Sequence, residues 1–511
     1  MKLLTAEQIK QWDQYTITHK PITSLQLMEH AASLCASHIH NLWLNNLGVW
    51  NRVDVFCGTG NNGGDGLVIA RLLHQQNIPV RVFVVATSNQ VSNECTINIE
   101  RLKSETSITT ITLSSDHVLP DLSNDALIID ALLGIGLNKP VEGFMATLIS
   151  HINHSKAKVV AIDVPSGFPA DIHNLNWMNE GAIIHAWLTL TFQLPKITFL
   201  LADAYQYVGD FEVLYIGLMP AYLASIQSNF YYTRLSDIKL IYKPRLKFSH
   251  KGTYGHALLI GGSFGKIGAA VLSSKAALRA GCGLLTAFLP KVGYTIMQTA
   301  IPEVMVITDD ELYEIRNFPD TNLYQAIGVG PGLGTHPLTQ SAFIKWVQQV
   351  NQPIVIDADG INIIANYIQS GASFKFPPNC ILTPHPKEFD RLVGVSMNAT
   401  ERLAKQMQFA QKNKTVVVLK GAHTTIALPN GEVHANSSGN ALLATAGSGD
   451  VLTGIIMSLL AQGYNLNEAA IAAVFFHGAC ADYLKNQKQS TLIASDICEV
   501  LPKVINTVVD Y

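Results

Sequence analysis

From Arg52 onward two periodicities alternate along the chain. Short β-branched runs, "RVDVF", "VRVFVVA", "ALIIDALL", "KVVAIDV", "LTLTF" and "FEVLYI", are separated by stretches such as "LVIARLLHQQ", whose apolar residues recur at helical spacing. Strands alternating with helices predict βαβ units and a parallel sheet. Ahead of them lie "TAEQIKQWDQYTI", where Thr5 and Gln8 have capping-box spacing, and "SLQLMEHAASLCASHIHNLW". Two amphipathic helices therefore precede any strand. Between Leu218 and Lys251 the pattern weakens into a stretch rich in Tyr and basic residues, and a second series then begins with "HALLIGG". It runs through "LLTAFL", "VMVIT", "AIGVG", "PIVIDA", "CILTPH", "TVVVLKG" and "TTIAL", and closes with three predicted helices, "DVLTGIIMSLLAQG", "NEAAIAAVFFHGACADYLKN" and "SDICEVLPKVINTVV". The weakened stretch is read as a boundary between a domain at 1–220 and one at 221–511.

Composition agrees with this picture. Hydrophobic residues make up 48% of the 511 and charged residues 14%, which suits α/β domains whose helices pack closely on buried strands. A formal charge of −3, with no long Lys/Arg run, argues against nucleic acid or an anionic membrane as partner. Seven cysteines, scattered from Cys35 to Cys498 with no C-x-x-C pair, predict neither a disulfide framework nor a zinc site, and a reducing cytoplasm is expected. The opening residues carry charged and amide groups where a signal peptide needs an apolar core. "VLTGIIMSLLA" and "AAIAAVFFHGACA" fall short of the roughly 20 residues that span a bilayer, so they are read as buried helices. The hydrophobic surplus points to buried interfaces and a homo-oligomer of unspecified symmetry.

The segment "GTGNNGGDG" joins the first strand to the next helix, and its Gly58, Gly60 and Gly63 satisfy G-x-G-x-x-G. An ordinary dinucleotide cradle also needs an acid closing the following strand, where this chain has Ala86, Thr87 and Ser88. Asp65 further disfavours a phosphate at that helix start, because a carboxylate competes for the same amides and repels the ligand. Three strand ends share an oxygen-rich character: Asn61, Asn62 and Asp65 after the first strand, Asp130 in "DALLGIGL", and Asp163 with Ser166 in "DVPSG". Taken singly, each Asp is as well explained as a turn or helix cap. In a doubly wound sheet such ends converge on one crevice, and this donor set suits a monovalent cation better than a caged divalent one. "GIGLNKP" offers amides and Lys139 for a pyrophosphate.

The second half holds a sharper element, "AGSGDVLTG". Gly447, Ser448 and Gly449 open a helix whose amides can stabilise a phosphoryl group in transfer, and Asp450 can take the proton of an attacking hydroxyl. The plainer reading is a glycine turn capped by Asp450. "GGSFGKIGAA", "GVGPGLG", "TPHPKEF" with His385 and Glu388, and "KGAHTT" with Lys420 and Thr424 follow strands in the same manner. His385 also reads as a turn histidine between prolines, and Lys420 as a solvated surface group.

In this order, "GTGNNGGDGLVIAR", "DALLGIGL", "DVPSG", "HKGTYGHALLIGGS", "GPGLG", "TPHPKEF", "KGAHT" and "GSGDVLTG" resemble the bifunctional NAD(P)H-hydrate repair enzymes over nearly the whole chain. That resemblance implies an α/β fold: an N-terminal Rossmann-like three-layer α/β/α epimerase domain followed by a C-terminal ribokinase-like, ADP-dependent dehydratase domain. It implies that Asn61, Asn62, Gly63, Gly64 and Asp65 bind NADH hydrate or NADPH hydrate together with Asp163. The loop of Gly134, Ile135, Gly136, Leu137, Asn138, Lys139 and Pro140 would join them. Asn62, Asp130 and Ser166 would bind potassium, and Asp163 would be the catalytic acid and base.

In the second domain the resemblance implies that Lys420, Gly421, Ala422, His423, Thr424 and Gly449 hold ADP, with magnesium on the nucleotide. Ala269, Gly332, His385 and Asp450 would contact the hydrate. Asp450 would be catalytic, and the amides of Gly447, Ser448 and Gly449 would hold the phosphoryl charge. The chain departs from the family pattern at Ile135, commonly threonine, at Ala441-Leu442, frequently Pro-Gly, and at Ala446, frequently glycine. Two rival readings remain: a ribokinase-like small-molecule kinase, which would release a stable phosphorylated product, and an N-terminal nucleotide sensor regulating the second half.

Overall fold

The computed structural model describes residues 1–85 and 91–508. Ala86, Thr87 and Ser88, the strand end without a ribose-binding acid, lie outside the described residues. Two compact units emerge, one of Lys2–Ser228 and one of Asn229–Tyr511 with Met1.

The first unit opens with helices Ala6–His19 and Ser24–Asn45, each started by a complete capping box, Thr5 with Gln8 and Thr23 with Gln26. Seven strands follow: β1 (Arg52–Cys57), β2 (Val80–Val85), β3 (Thr110–Leu113), β4 (Ala126–Ala131), β5 (Lys158–Ile162), β6 (Leu188–Phe192) and β7 (Asp210–Leu214). They form one sheet in the order β3-β2-β1-β4-β5-β6-β7, every neighbouring pair parallel. Strand pleating sends alternate side chains to opposite faces. Val53, Val55 and Cys57 of β1 pack with Cys35, Ile39, Leu67 and Leu73 from helices on one face. Phe56 packs on the other face with Leu148, Ile149 and Ile152 of helix Gly143–His154. Both faces are covered, giving three layers. The strand order reverses between β1 and β4, where a doubly wound sheet leaves a crevice at its carboxyl ends.

The second unit contributes β8 (Phe230–Thr233), β9 (His256–Ile260), β10 (Leu284–Leu289), β11 (Met305–Thr308), β12 (Ala326–Val329), β13 (Ile354–Ile356), β14 (Cys380–Leu382), β15 (Val416–Leu419), β16 (Thr425–Ala427) and β17 (Val433–Asn436). Their order is β11-β10-β9-β12-β13-β14-β15-β16-β17-β8. The sheet is parallel from β11 to β15, but β15-β16 and β16-β17 are antiparallel. The short connecting segments, 420–424 and 428–432, are the reason, since a parallel neighbour needs a crossover of about a dozen residues or more. β8 arises within the weakly patterned stretch and pairs parallel with β17. Ala257 and Leu259 of β9 face the carboxyl-terminal helices, whereas Leu258 and Ile260 face helices Pro337–Val347 and Ala358–Gln369. Helices Ser448–Ala461 and Leu466–Asn486 are buried almost throughout. Among the described residues no helix is long and apolar enough to cross a membrane. All seven cysteines are buried thiols without disulfide partners.

Candidate active sites

In the first unit the glycines of the β1 turn are set by close approach. A Cβ on Gly58 would strike the carbonyl of Leu132, and one on Gly63 would strike the carbonyl of Gly58. Only glycine lets these backbones touch. Helix Asn61–Gln75 starts from Gly60 with no side-chain cap, so its first amides are left for another partner. Asn62 is buried and donates through Nδ2 to the Leu133 carbonyl at 3.0 Å. Asp130, at the carboxyl end of β4, is fully buried. Its Oδ1 accepts from Ser166 Oγ at 2.5 Å and from Leu132 N at 3.2 Å, and its Oδ2 accepts from Ser166 N at 2.7 Å. Ser166 Oγ in turn accepts from Leu133 N at 2.8 Å.

Burial raises the Asp130 pKa to about 6, with the hydrogen bonds from Ser166 pulling it back. None of these hydrogen-bond partners carries a positive charge. A buried carboxylate without counter-charge, set among amide, hydroxyl and carbonyl oxygens, is a donor set that fits a monovalent cation. Among the described residues no three His, Cys, Asp or Glu side chains group so as to hold a metal ion, so a site here would rest on mixed oxygens.

Asp163 follows β5 directly and has φ +65°, a left-handed conformation that non-glycine residues seldom adopt. Its Oδ1 accepts from Lys196 Nζ at 2.6 Å, Phe192 N at 3.1 Å and Thr191 Oγ1 at 3.3 Å. Lys196 is only 1% exposed and also donates to Thr191 Oγ1 at 2.9 Å. The carboxylate is thereby fixed in place by an ion pair that the sequence reading did not include. Asp65 is held well above the usual carboxylate range by burial, then by the charges of Asp163 and Asp13. Asp13, on the first helix, is raised to about 7 by burial and the charge of Asp163, with Lys196 opposing.

The 134–140 loop borders the same place. A Cβ at Gly134 would lie 3.3 Å from that of Asn62, and one at Gly136 would lie 4.0 Å from Lys10 Nζ. Ile135 packs against the cluster of Val164, Phe168, Ile183 and Phe199, which accounts physically for an apolar residue there. Asn138 and Lys139 are exposed.

In the second unit Gly447, at φ +84°, precedes helix Ser448–Ala461 and supplies no side-chain cap; Ser448 N makes a long hydrogen bond to Thr445 O at 3.4 Å, and the next amides, of Gly449 and Asp450, are left for another partner. Asp357, just beyond β13, ties three elements together: its Oδ1 accepts from Lys420 Nζ at 2.9 Å and its Oδ2 from Thr453 Oγ1 at 2.7 Å. Burial opposes the Lys420 charge, but Asp357 and Glu388 hold its pKa above the ordinary value. A Cβ on Gly449 would come within 3.2 Å of Lys420 Nζ and 3.7 Å of Asp357 Oδ2. Asp450 is pushed up to about 7 by burial and by the charge of Asp357, with Lys420 partly opposing. Ser448 is pinned by His477, whose Nε2 lies 2.9 Å from the Ser448 carbonyl and 3.0 Å from its Oγ. Burial lowers the His477 pKa to about 4, so the ring is neutral near pH 7 and Nε2–H donates to that carbonyl.

The flanking loops meet the same group. Gly332, at φ +63°, would carry a Cβ 3.2 Å from that of Ala269, and its carbonyl accepts from Ser263 Oγ at 2.8 Å. Asp359 accepts from Gly334 N at 2.8 Å and from Lys266 Nζ at 3.3 Å, and its charge reaches Asp450. His385 caps helix Pro386–Val393: Nδ1 accepts from Glu388 N at 3.2 Å and its own N donates to Glu388 Oε2 at 2.9 Å. Lys420 N donates to Pro384 O at 3.0 Å, which brings the cap beside the end of β15. In the 420–424 turn, Thr424 Oγ1 donates to Gly421 O at 3.1 Å, Gly421 and Ala422 are exposed, and His423 Nδ1 lies 3.2 Å from Asn436 O.

The geometry thus gathers Asn62, Asp130 and Ser166 in one place, Asp65 and Asp163 beside it, and Gly447 to Asp450, Lys420 and His385 in another. Asp13, Lys196 and Asp357 were missed. The one available signal was for Asp357, an acid at a strand end before a helix, the same pattern that singled out Asp130 and Asp163.

A family model described as "YjeF-related protein N-terminus" matches residues 24–198, and one described as "NAD(P)H-hydrate dehydratase" matches 257–503. The bifunctional NAD(P)H-hydrate repair enzyme Nnr of Moorella thermoacetica is 34% identical over 99% of this chain and 97% of its own. Its counterpart from Escherichia coli is 34% identical over 88% of this chain and 84% of its own. A crystal structure of the ADP/ATP-dependent NAD(P)H-hydrate dehydratase from Bacillus subtilis, co-crystallized with ATP/Mg2+, is 32% identical, with a TM-score of 0.48 over 55% of this chain and 99% of that one. By the two family models and the full-length relatives, the chain belongs to the family of bifunctional NAD(P)H-hydrate repair enzymes.

Proposed function

We propose that this protein repairs hydrated nicotinamide nucleotides, exchanging the R and S epimers of NADH hydrate and NADPH hydrate in the first unit and dehydrating the S form in the second at the expense of ADP. The observation that carries the reading is Asp450. It is a carboxylate pushed up to about 7 in the first turn of a helix without a side-chain cap, near the half-buried Lys420 that pairs with Asp357. A general base near neutrality and a nest of donors are what transfer of a phosphoryl group to a hydroxyl requires.

Hydroxide is a poor leaving group. Asp450 takes the hydroxyl proton as the oxygen attacks the terminal phosphoryl of ADP, AMP departs, and the amides of Gly447, Ser448 and Gly449 with Lys420 hold the developing charge. The ring nitrogen's lone pair then expels phosphate, and loss of a proton from the adjacent carbon restores the reduced nicotinamide. Lys420 to Thr424 and Gly449 are assigned to the nucleotide, and Ala269, Gly332 and His385 to the hydrate. Magnesium would be carried on the nucleotide's phosphates, whose charge it would neutralise.

For the first unit, Asn61 to Asp65 and Gly134 to Pro140 are assigned to the hydrate. Asp163 takes the hydroxyl proton as the carbon–nitrogen bond of the hydrated ring opens and returns it on reclosure, and Lys196 keeps its carboxylate aimed. Potassium fits Asn62, Asp130 and Ser166, where it would compensate the buried Asp130 charge. The free thiols support a reducing cytoplasm, and the hydrophobic composition supports a homo-oligomer.

The test mixes both epimers of NADH hydrate with the protein, magnesium and ADP, and follows reduced-nicotinamide absorbance and AMP. We expect one AMP per NADH recovered. A stable phosphorylated hydrate that accumulates without NADH would instead make the second unit a small-molecule kinase.

A further inference from the structure

Helix Ala6–His19 is held over the carboxyl end of the first sheet at several points. Ala6 N donates to Asp171 Oδ1 at 2.9 Å, Trp12 Nε1 donates to Met219 O at 2.7 Å, and Thr16 Oγ1 accepts from Met219 N at 3.0 Å. Lys10 of this helix reaches the loop at Gly136. Its buried face is Ile9, Trp12 and Thr16. Asp13 stands four residues after Ile9 and three before Thr16, so helical geometry turns it toward that same side. It is half-buried, and among the described residues it has neither a hydrogen-bond partner nor an ion pair. Its carboxyl is thus on the site-facing side of the helix with no partner inside the fold, which leaves it free to meet a ligand.

Asp13 lies within electrostatic reach of Asp163 and Lys196, and Asp65 feels both acids. Resting on the epimerase reading above, we propose that Asp13 is a second catalytic residue of the first unit, exchanging a proton with the ring nitrogen while Asp163 exchanges one with the hydroxyl. On opening, Asp163 takes the hydroxyl proton, the carbon–oxygen double bond forms, the carbon–nitrogen bond breaks with its electron pair going to nitrogen, and Asp13 gives nitrogen its proton. After the aldehyde turns, nitrogen attacks its other face, Asp13 recovers the proton, and Asp163 returns one to oxygen. The two acids hold one proton between them at the start and at the end, and nothing is oxidised or reduced. A pKa of about 7 suits a group that must be protonated at rest and ionised in the intermediate. The charged groups facing it are Asp65 on helix Asn61–Gln75, Asp163 after β5 and Lys196 after β6.

The test measures epimer exchange of NADH hydrate without ADP in full-length Asp13→Asn, after subtraction of the spontaneous rate. The same preparation is assayed for ADP-driven dehydration of the S epimer and for hydrate binding to the first unit. We expect exchange to fall about 100-fold or more, with dehydration and binding retained. The wild-type rate should also decline above about pH 7, where Asp13 loses its proton, and this alkaline limb should be missing from the residual rate of the variant. Exchange within a few-fold of wild type, or an unchanged alkaline limb, overturns the proposal. If Asp13→Asn loses hydrate binding, Asp13→Glu decides: a shifted alkaline limb supports the role and an unmoved one refutes it. A wild-type protein that dehydrates but does not exchange epimers would overturn the epimerase reading itself, and this proposal with it.

Discussion

To act as the proposed base Asp450 must be an anion, yet burial and the Asp357 charge favour its neutral form. A base with a raised pKa is active above that value and lost below it. The rate of dehydration at low hydrate concentration should therefore rise about tenfold per pH unit up to about pH 7 and then level. Replacing it by Asn should lower dehydration by about 100-fold or more while calorimetry still detects ADP binding. Gly449→Ala places a methyl group beside Lys420 Nζ. The account predicts a raised KM for ADP with a smaller change in melting temperature, measured on one preparation. Asp130, Asp163, Ser166 and Asp450 could be picked out from the sequence because strand ends and helix starts are visible as changes of periodicity. Asp357 showed the same strand-end pattern, but its role depends on Lys420 and Thr453 from distant segments, as that of Lys196 depends on Asp163. Asp13 gave no signal, because an acid on an amphipathic helix looks like surface until the fold turns it inward.

At the scale of elements, the glycine-rich turn after β1 owes its composition to backbone contact. Gly63→Ala would gain about 1 kcal/mol of helix propensity, yet it drives a Cβ into the Gly58 carbonyl, so the melting transition of the first unit should fall. Potassium should act in the opposite direction. At a concentration about 100 times its Kd, binding to the folded state adds about 2.7 kcal/mol, and the first unit should melt several degrees higher than in a large organic cation. Identical melting curves in the two salts would remove the ion from Asn62, Asp130 and Ser166. Most parallel strands were legible as apolar runs between helices, but the edge strand β3, polar at alternate positions and only four residues long, was not. The two antiparallel reversals from β15 to β17 were not, because strand direction there depends on the lengths of 420–424 and 428–432 rather than on periodicity, and β8 was hidden in a weakly patterned stretch.

At the scale of the molecule, one chain carries two sets of groups, and the proposed function gives one the reshuffling of a hydroxyl-bearing carbon and the other the activation of its oxygen for departure. The units complement each other chemically: dehydration consumes a single epimer, and epimerisation replenishes it from the other. The most direct test follows NADH recovery from an equilibrated mixture of both epimers, with ADP and magnesium, in wild type and in Asp163→Asn. The account predicts full recovery by the wild type. The variant should show a fast phase that stops at the S-epimer fraction, followed by the slow spontaneous rate. Recovery of both epimers by Asp163→Asn at the wild-type rate would contradict it, as would a wild-type reaction that also stops at the S fraction.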